Sequence, residues 1–347
     1  LERKSVKAPF PYFGGKARAA HLVWERFGDP PNYVEPFFGS GAVLLSRDWP
    51  HSGTETVNDA DGLLANFWRA LQADPSAVAD HADWPVNEND LHARHAWLVG
   101  RKDRIQAKLE GDPDWFDAKA AGWWVWGISA WIGSGWCSGK GPWQSVEIED
   151  GTRQLVHLGN AGRGVNRKLV HLGNAGRGVN RKREELQEYF HALADRLRDV
   201  RVCCGDWSRV CGPSVLRGAG TPCAIFLDPP YADTADRDST LYRIDSESVA
   251  HEVREWAIRE GDNKDYRIAL CGYENEHVMP DSWECVEWKA NGGYGSQSLS
   301  HDNPNARKER IWFSPHCVKP EHERQPLFAR ITDAATQLLD TLEARQQ

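Results

Sequence analysis

Over the first 70 residues, short apolar runs alternate with stretches of helical spacing. Ala19 to Phe27 predicts a helix, and Tyr33-Val34-Glu35 a strand that runs into a Gly-bearing loop. Ala42 to Leu45 opens a second helix, Glu55 to Asn58 reads as a second strand, and Leu63 to Leu71 as a third helix. Strands alternating with helices predict a mostly parallel sheet, so the fold class is α/β. The rhythm stops near residue 72 and returns near 184. There Leu186, Tyr189, Phe190, Leu193 and Leu197 share one helical face, followed by strands at Val200 to Cys204 and Ala224 to Leu227. Ser246 reads as the N-cap of a helix that turns Val249, Val253, Trp256 and Ala257 inward. Arg267 to Cys271, Cys285 to Trp288 and Arg310 to Phe313 supply further strands. The tail, with Ile331, Ala335, Leu338, Leu339 and Leu342, predicts an amphipathic helix. The expected units are 1–71, 72–183, 184–318 and a terminal helix over 319–347.

The stretch from 72 to 183 has its own character. Six of the chain's 17 Trp fall between positions 123 and 143. They have two readings, as the packing of a helical subdomain or as rings that stack on or wedge between bases. Leu155–Lys168 recurs unchanged as Leu169–Lys182, a local duplication in which each copy predicts a strand and a Gly-Asn turn. Residues 151–183 hold no Asp or Glu but eight Lys or Arg. Arg163, Arg167, Lys168, Arg177, Arg181 and Lys182 are therefore candidate DNA-binding residues, set among Asn, Gly and His that hydrogen-bond to backbone or bases. A solvated loop is the alternative.

Composition narrows the classes. At 347 residues, with 40% hydrophobic and 27% charged positions, the chain reads as about two globular domains or one large α/β domain with an insertion. No run of about 18 apolar residues exists, which excludes a membrane-spanning helix. Leu1, Glu2, Arg3 and Lys4 carry no apolar core of a secretory signal. Eight Cys without C-x-x-C spacing suggest reduced thiols in a cytoplasmic protein and argue against a metal site. A net charge of −8 does not exclude a nucleic-acid partner, because binding depends on where the charges sit.

Three segments carry chemistry. Asp228-Pro229-Pro230-Tyr231 follows an apolar strand, which places a carboxylate at the carboxyl edge of the sheet. The two prolines stiffen the turn and hold its carbonyls outward. A carboxylate beside a fixed carbonyl can accept both hydrogens of an exocyclic amine, and Tyr231 offers a flat face to a base. The run Tyr33 to Gly41 is a strand entering a Gly turn and then a helix, which lets the backbone approach a ligand closely. It is neither G-x-G-x-x-G nor a phosphate loop, so nicotinamide and ATP are disfavoured. Asn58-Asp59, some 20 residues on, stands where an acidic side chain holds ribose hydroxyls. The third segment is Pro11 to Lys16, just before the first helix.

In this order the segments resemble those of the Dam-like, D12-class family of S-adenosylmethionine-dependent DNA adenine-N6 methyltransferases. Pro11–Lys16 is similar to the family's aromatic-x-G-G-K segment, Val34–Gly41 to E/D-P-F-x-G-S/A-G, and Asp228–Tyr231 to D-P-P-Y. Arg307 to Trp312 looks like its C-terminal strand, and a recognition region between the cofactor and catalytic halves is its alpha arrangement. The resemblance covers the first 70 residues and roughly 184 to 315. It implies a Rossmann-like methyltransferase sheet with helices on both faces and an inserted target-recognition subdomain. Tyr12, Phe13, Gly14, Lys16, Glu35, Pro36, Phe37, Gly39 and Asp59 would form the S-adenosylmethionine pocket, joined by Asp206 and Asp228. Asp228 and the Pro229 carbonyl would accept from the adenine amine, and Tyr231, past Pro230, would stack on a base flipped out of double-stranded DNA. The middle departs from the family: its Asn-rich recognition hairpin is absent, so no target sequence is implied. Cytosine-N4 methylation and an inactive DNA-binding relative are the rival readings. Both an orphan methylase and a partner of a cognate restriction endonuclease fit.

Overall fold

The computed structural model describes residues 6–10, 12, 15–131, 136–137, 183–230, 248–288 and 309–320, with the backbone of 143–147 and 153–157. The predicted alternation is present at the N-terminus. Helix α1 (Ala20–Phe27) leads to β1 (Asn32–Glu35), then α2 (Ala42–Leu45), β2 (Thr54–Asp59) and α3 (Gly62–Ala73). Four helices occupy the stretch where the α/β rhythm stops: α4 (Pro75–Ala82), α5 (Glu88–Val99), α6 (Lys102–Gly111) and α7 (Ala118–Ala130). An antiparallel pair follows, β3 (Trp143–Glu147) with β4 (Arg153–His157), so the first three residues of the tandem repeat are strand. The rest of the repeat lies outside the described residues. The second half runs through α8 (Arg183–Leu197), β5 (Val200–Cys204), α9 (Pro213–Gly218), β6 (Cys223–Leu227), α10 (Val249–Gly261), β7 (Tyr266–Tyr273), β8 (Glu284–Glu287) and β9 (Glu309–Phe313).

Seven of these strands form one sheet in the order β5-β2-β1-β6-β7-β9-β8. The first five are parallel; β9 runs antiparallel to both β7 and β8. Its two faces can be read along β6. Ala224 and Phe226 join a core with Phe27 of α1, Leu44 of α2, Leu64 of α3 and Phe190 of α8. Cys223, Ile225 and Leu227 join a second core with Leu216 of α9 and with Val253, Trp256 and Ala257 of α10. Alternate side chains point to opposite faces of a strand, so a strand buried on both sides reads as an unbroken apolar run. The mixed α/β sheet flanked by helices is the architecture expected from the sequence.

The helical stretch takes the packing reading of its tryptophans. Trp124 and Trp126 are buried, and the Trp124 ring meets Phe10 at 4.9 Å and Phe67 at 5.7 Å. The Trp126 indole donates to the Trp84 carbonyl at 2.8 Å, and Trp131 stacks on His95 at 4.8 Å. Burial pushes His95 down to about 4, so this imidazole stays neutral at pH 7. Asp74, Asn87 and Asp117 cap α4, α5 and α7 by accepting backbone N–H bonds of 2.8–2.9 Å. The four helices share one apolar core with α3 and α8.

One boundary is corrected. Helix α10 starts at Val249 with Ser248 at its N-cap, two residues beyond the Ser246 expected from the sequence. Ser246 itself, and the tail helix from residue 321 onward, lie outside the described residues. Among the described residues, no helix is long and apolar enough to cross a membrane.

Candidate active site

The strand order reverses between β1 and β6, so the chain leaves these neighbours in opposite directions and a crevice opens at their carboxyl ends. A cavity of about 310 Å³ lies there. Tyr12, Gly15 and Lys16 border it from the segment before α1, and Glu35 to Ser40 from the end of β1. Asn58 to Asp61 contribute from the end of β2, and Gly205, Asp206 and Trp207 from the end of β5. Asp228 and Pro230 follow β6, and Val249 and Glu252 come from the start of α10.

Glycine shapes the loop after β1. Gly39 and Gly41 sit at φ +51° and +68°, the left-handed region where a side chain is costly. A Cβ on Gly39 would lie 2.9 Å from the Tyr12 ring. The loop is then pinned to β2. The Gly39 N–H donates to Asp59 Oδ2 at 3.0 Å, and the Asp61 N–H to Asp59 Oδ1 at 2.9 Å. The Asn58 amide donates to the carbonyls of Pro36 (3.1 Å) and Gly205 (2.9 Å), joining the ends of β1, β2 and β5. The Trp68 indole of α3 donates to the Gly39 carbonyl at 3.0 Å. Asp59 thus has a loop-fixing role that its sequence position, read as a ribose holder, did not suggest.

On the β1–β6 side the charged groups are Lys16, Glu35 and Asp228. Lys16 Nζ lies 2.9 Å from Asp228 Oδ1, with the lysine side chain 3% exposed and the aspartate 21%. The same ammonium sits 5.6 Å from the centre of the Trp288 ring. Burial pushes the Glu35 carboxyl well above the usual carboxylate range. The Tyr33 hydroxyl, donating to Glu35 Oε2 at 2.8 Å, opposes that rise, and the charge of Asp228 adds to it. Burial likewise holds the neighbouring Cys271 thiol far above its ordinary value, so it is no nucleophile at pH 7. On the opposite side, Phe37 and Trp207 face each other at 6.4 Å and 26°. Asp206 Oδ1 accepts from the Ser208 N–H at 2.9 Å, which caps the short turn after β5.

Ten of the residues expected from the sequence therefore gather around one cavity: Tyr12, Lys16, Glu35, Pro36, Phe37, Gly39, Asp59, Asp206, Asp228 and Pro230. Pro229 stands between two of them in the turn. Phe13, Gly14 and Tyr231 lie outside the described residues, as do Arg163, Arg167, Lys168, Arg177, Arg181 and Lys182. Sequence reading missed Asp61, Trp207, Val249 and Glu252. Trp207 directly follows Asp206 and could have been found from it. Glu252 carries no local signal, because only the docking of α10 brings it to the cavity.

Residues 12–96 match the model of the D12 class N6 adenine-specific DNA methyltransferase family. Over those residues the chain is similar to that family. The match runs from Tyr12 into α5 and so takes in the β1 loop and the Asn58-Asp59 corner, but not the Asp228 turn. DNA adenine methylation is the activity of this class, and its members use S-adenosylmethionine. No curated protein matches the chain.

Proposed function

We propose that this protein is a site-specific DNA methyltransferase that moves the methyl group of S-adenosylmethionine to N6 of adenine in duplex DNA. The observation that carries the reading is the Asp228-Pro229-Pro230 turn at the carboxyl end of β6, whose carboxylate enters the cavity at the reversal of strand order.

The residues on the cavity wall fit the cofactor. Phe37 and Trp207 offer flat apolar faces to an adenine ring, and Asp59 and Asp206 offer acceptors to ribose hydroxyls. The acidic lining suits a cation. Once bound, the cofactor supplies a methyl group on a positively charged sulfur, already electrophilic without metal or covalent help. The protein's share of the work is then largely positioning. Asp228 and the Pro229 carbonyl accept from the two amine hydrogens of the target base, which turns the nitrogen lone pair toward the methyl group. Pro229 and Pro230 hold that carbonyl by fixing the backbone. Lys16 keeps the Asp228 carboxylate paired and aimed until the base arrives. The base must leave the duplex stack to reach this depth, and Tyr231 stacks on it there.

Residues 1–71 and 184–318 are the two halves of the catalytic domain in this reading, and 72–183 holds the DNA-recognition elements. Arg163, Arg167, Lys168, Arg177, Arg181 and Lys182 track phosphates. The test is transfer of tritium from labelled S-adenosylmethionine to unmethylated duplex DNA. Label enters DNA with the intact protein and not with Asp228→Ala. Label at equal rate with both proteins overturns the assignment of Asp228.

A further inference from the structure

Because β8 runs in the same direction as β6 and β7, the residue that follows it, Trp288, emerges at the same carboxyl edge as Asp228. One ammonium links the two: Lys16 Nζ pairs with Asp228 at 2.9 Å and lies 5.6 Å from the Trp288 ring centre. Trp288 is 7% exposed, and its buried indole N–H meets no hydrogen-bond acceptor among the described residues. Buried indole N–H groups nearly always have a partner, and one left without it carries its full desolvation cost. Such a donor, one lysine away from the Asp228 carboxylate, is poised for an acceptor that comes with the substrate.

We propose that Trp288 is a base-contacting residue, whose indole N–H donates to a ring nitrogen of the same base that offers its amine to Asp228. The inference rests on the methyltransferase reading and extends it to specificity. Adenine presents N1 and N7 as acceptors flanking its amine and N3 on its far edge, so an amine acceptor and a ring-nitrogen donor together recognise two features of one base. A site built on such a bond discriminates strongly against an analogue that lacks the acceptor, because the protein's donor is then left unpaired. The Lys16 ammonium over the indole face keeps that ring from turning its N–H away.

The experiment compares wild type with Trp288→Phe, which keeps an aromatic ring and removes the donor. Both act on duplexes whose mapped target adenine is replaced by 1-, 3- or 7-deazaadenine. With wild type, one of the three analogues lowers kcat/KM by about 10- to 100-fold more than the other two. Trp288→Phe loses a similar factor on adenine, binds S-adenosylmethionine as before, and no longer distinguishes that analogue from adenine. Equal analogue penalties in both proteins overturn the contact, as does full activity of Trp288→Phe on adenine. Should that variant not fold, the wild-type series alone still overturns the contact if no single ring nitrogen matters. A wild type that labels no adenine at all refutes the methyltransferase reading itself, whereas labelled adenine with matching penalties refutes only the role of Trp288.

Discussion

Glu55→Gln perturbs a buried charge cluster that fastens the sheet to its helices at the end remote from the cavity. The Glu55 side chain, near the start of β2, is 3% exposed and accepts from Arg196 at 2.7 and 2.9 Å. Arg47 Nη1 lies 3.2 Å away and His51 Nε2 2.8 Å away. Arg196 also donates to the Leu44 carbonyl at 2.9 Å, so the cluster joins α2, β2 and α8. Burial alone would raise the Glu55 pKa, but hydrogen bonds from His51 and Arg196 with the charge of Arg196 hold it down at about 2. The unfolded carboxyl titrates near 4.3, so the ionised form contributes about 3 kcal/mol to stability at pH 7. A depressed pKa gives stability that is complete above the unfolded value and is lost as pH falls toward the folded one. Roughly half of it is gone by pH 3. Glu55→Gln also leaves the Arg196 guanidinium against a neutral amide, while Arg47 keeps Asp29 at 2.7 Å, so the cost at pH 7 is about 3–5 kcal/mol. Urea unfolding of both proteins at pH 7 and pH 3 measures this. The gap narrows by roughly 1.5 kcal/mol at the lower pH. A gap below about 1 kcal/mol at pH 7, or one that does not change with pH, refutes the reasoning.

Three further outcomes follow from the site. Gly39→Ala forces a Cβ to within 2.9 Å of the Tyr12 ring at a left-handed φ, which costs about 1–2 kcal/mol in backbone strain and displaces a ring that borders the cavity. Calorimetric titration then shows S-adenosylmethionine affinity lowered about tenfold, whereas unaltered affinity refutes the close approach. Asp228→Ala loses methyl transfer by about a hundredfold or more and removes the carboxylate 2.9 Å from the buried Lys16 ammonium. Adding Lys16→Met to it restores about 1–3 kcal/mol in thermal unfolding, and no restoration argues against the pair. Charge reversal at Arg163, Arg167, Arg177 and Arg181 weakens DNA binding and flattens its dependence on salt concentration, with unchanged slopes counting against phosphate contacts.

The parts legible in the sequence were those set by local pattern. Ala224 to Leu227 reads as a strand because both faces of it are buried, and Leu186 to Leu197 as a helix because its apolar side chains return with the helical period. Gly39 and Gly41 were recognisable because their conformation excludes other residues. The strand order was not legible, since the placement of β6 beside β1 depends on pairings almost 200 residues apart. The same distance hid Glu252 and the ion pair of Lys16 with Asp228. The tryptophans between 123 and 131 were ambiguous because a core ring and a base-stacking ring have the same side chain. Only the burial of Trp124 and Trp126 separates the two. The two hydrogen bonds that Asp59 accepts from the backbone were out of reach for a related reason: a carboxylate at a strand end suits a ligand or a loop equally well.

The central claim is that the Asp228 turn accepts the amine of adenine. Nucleoside mass spectrometry tests it most directly, on unmethylated duplex DNA after incubation with S-adenosylmethionine and the intact protein, with Asp228→Ala run alongside. N6-methyladenine forms with the intact protein and none above background with the variant. N4-methylcytosine in place of N6-methyladenine, or no modified base from a protein that binds the cofactor and the DNA, would contradict it.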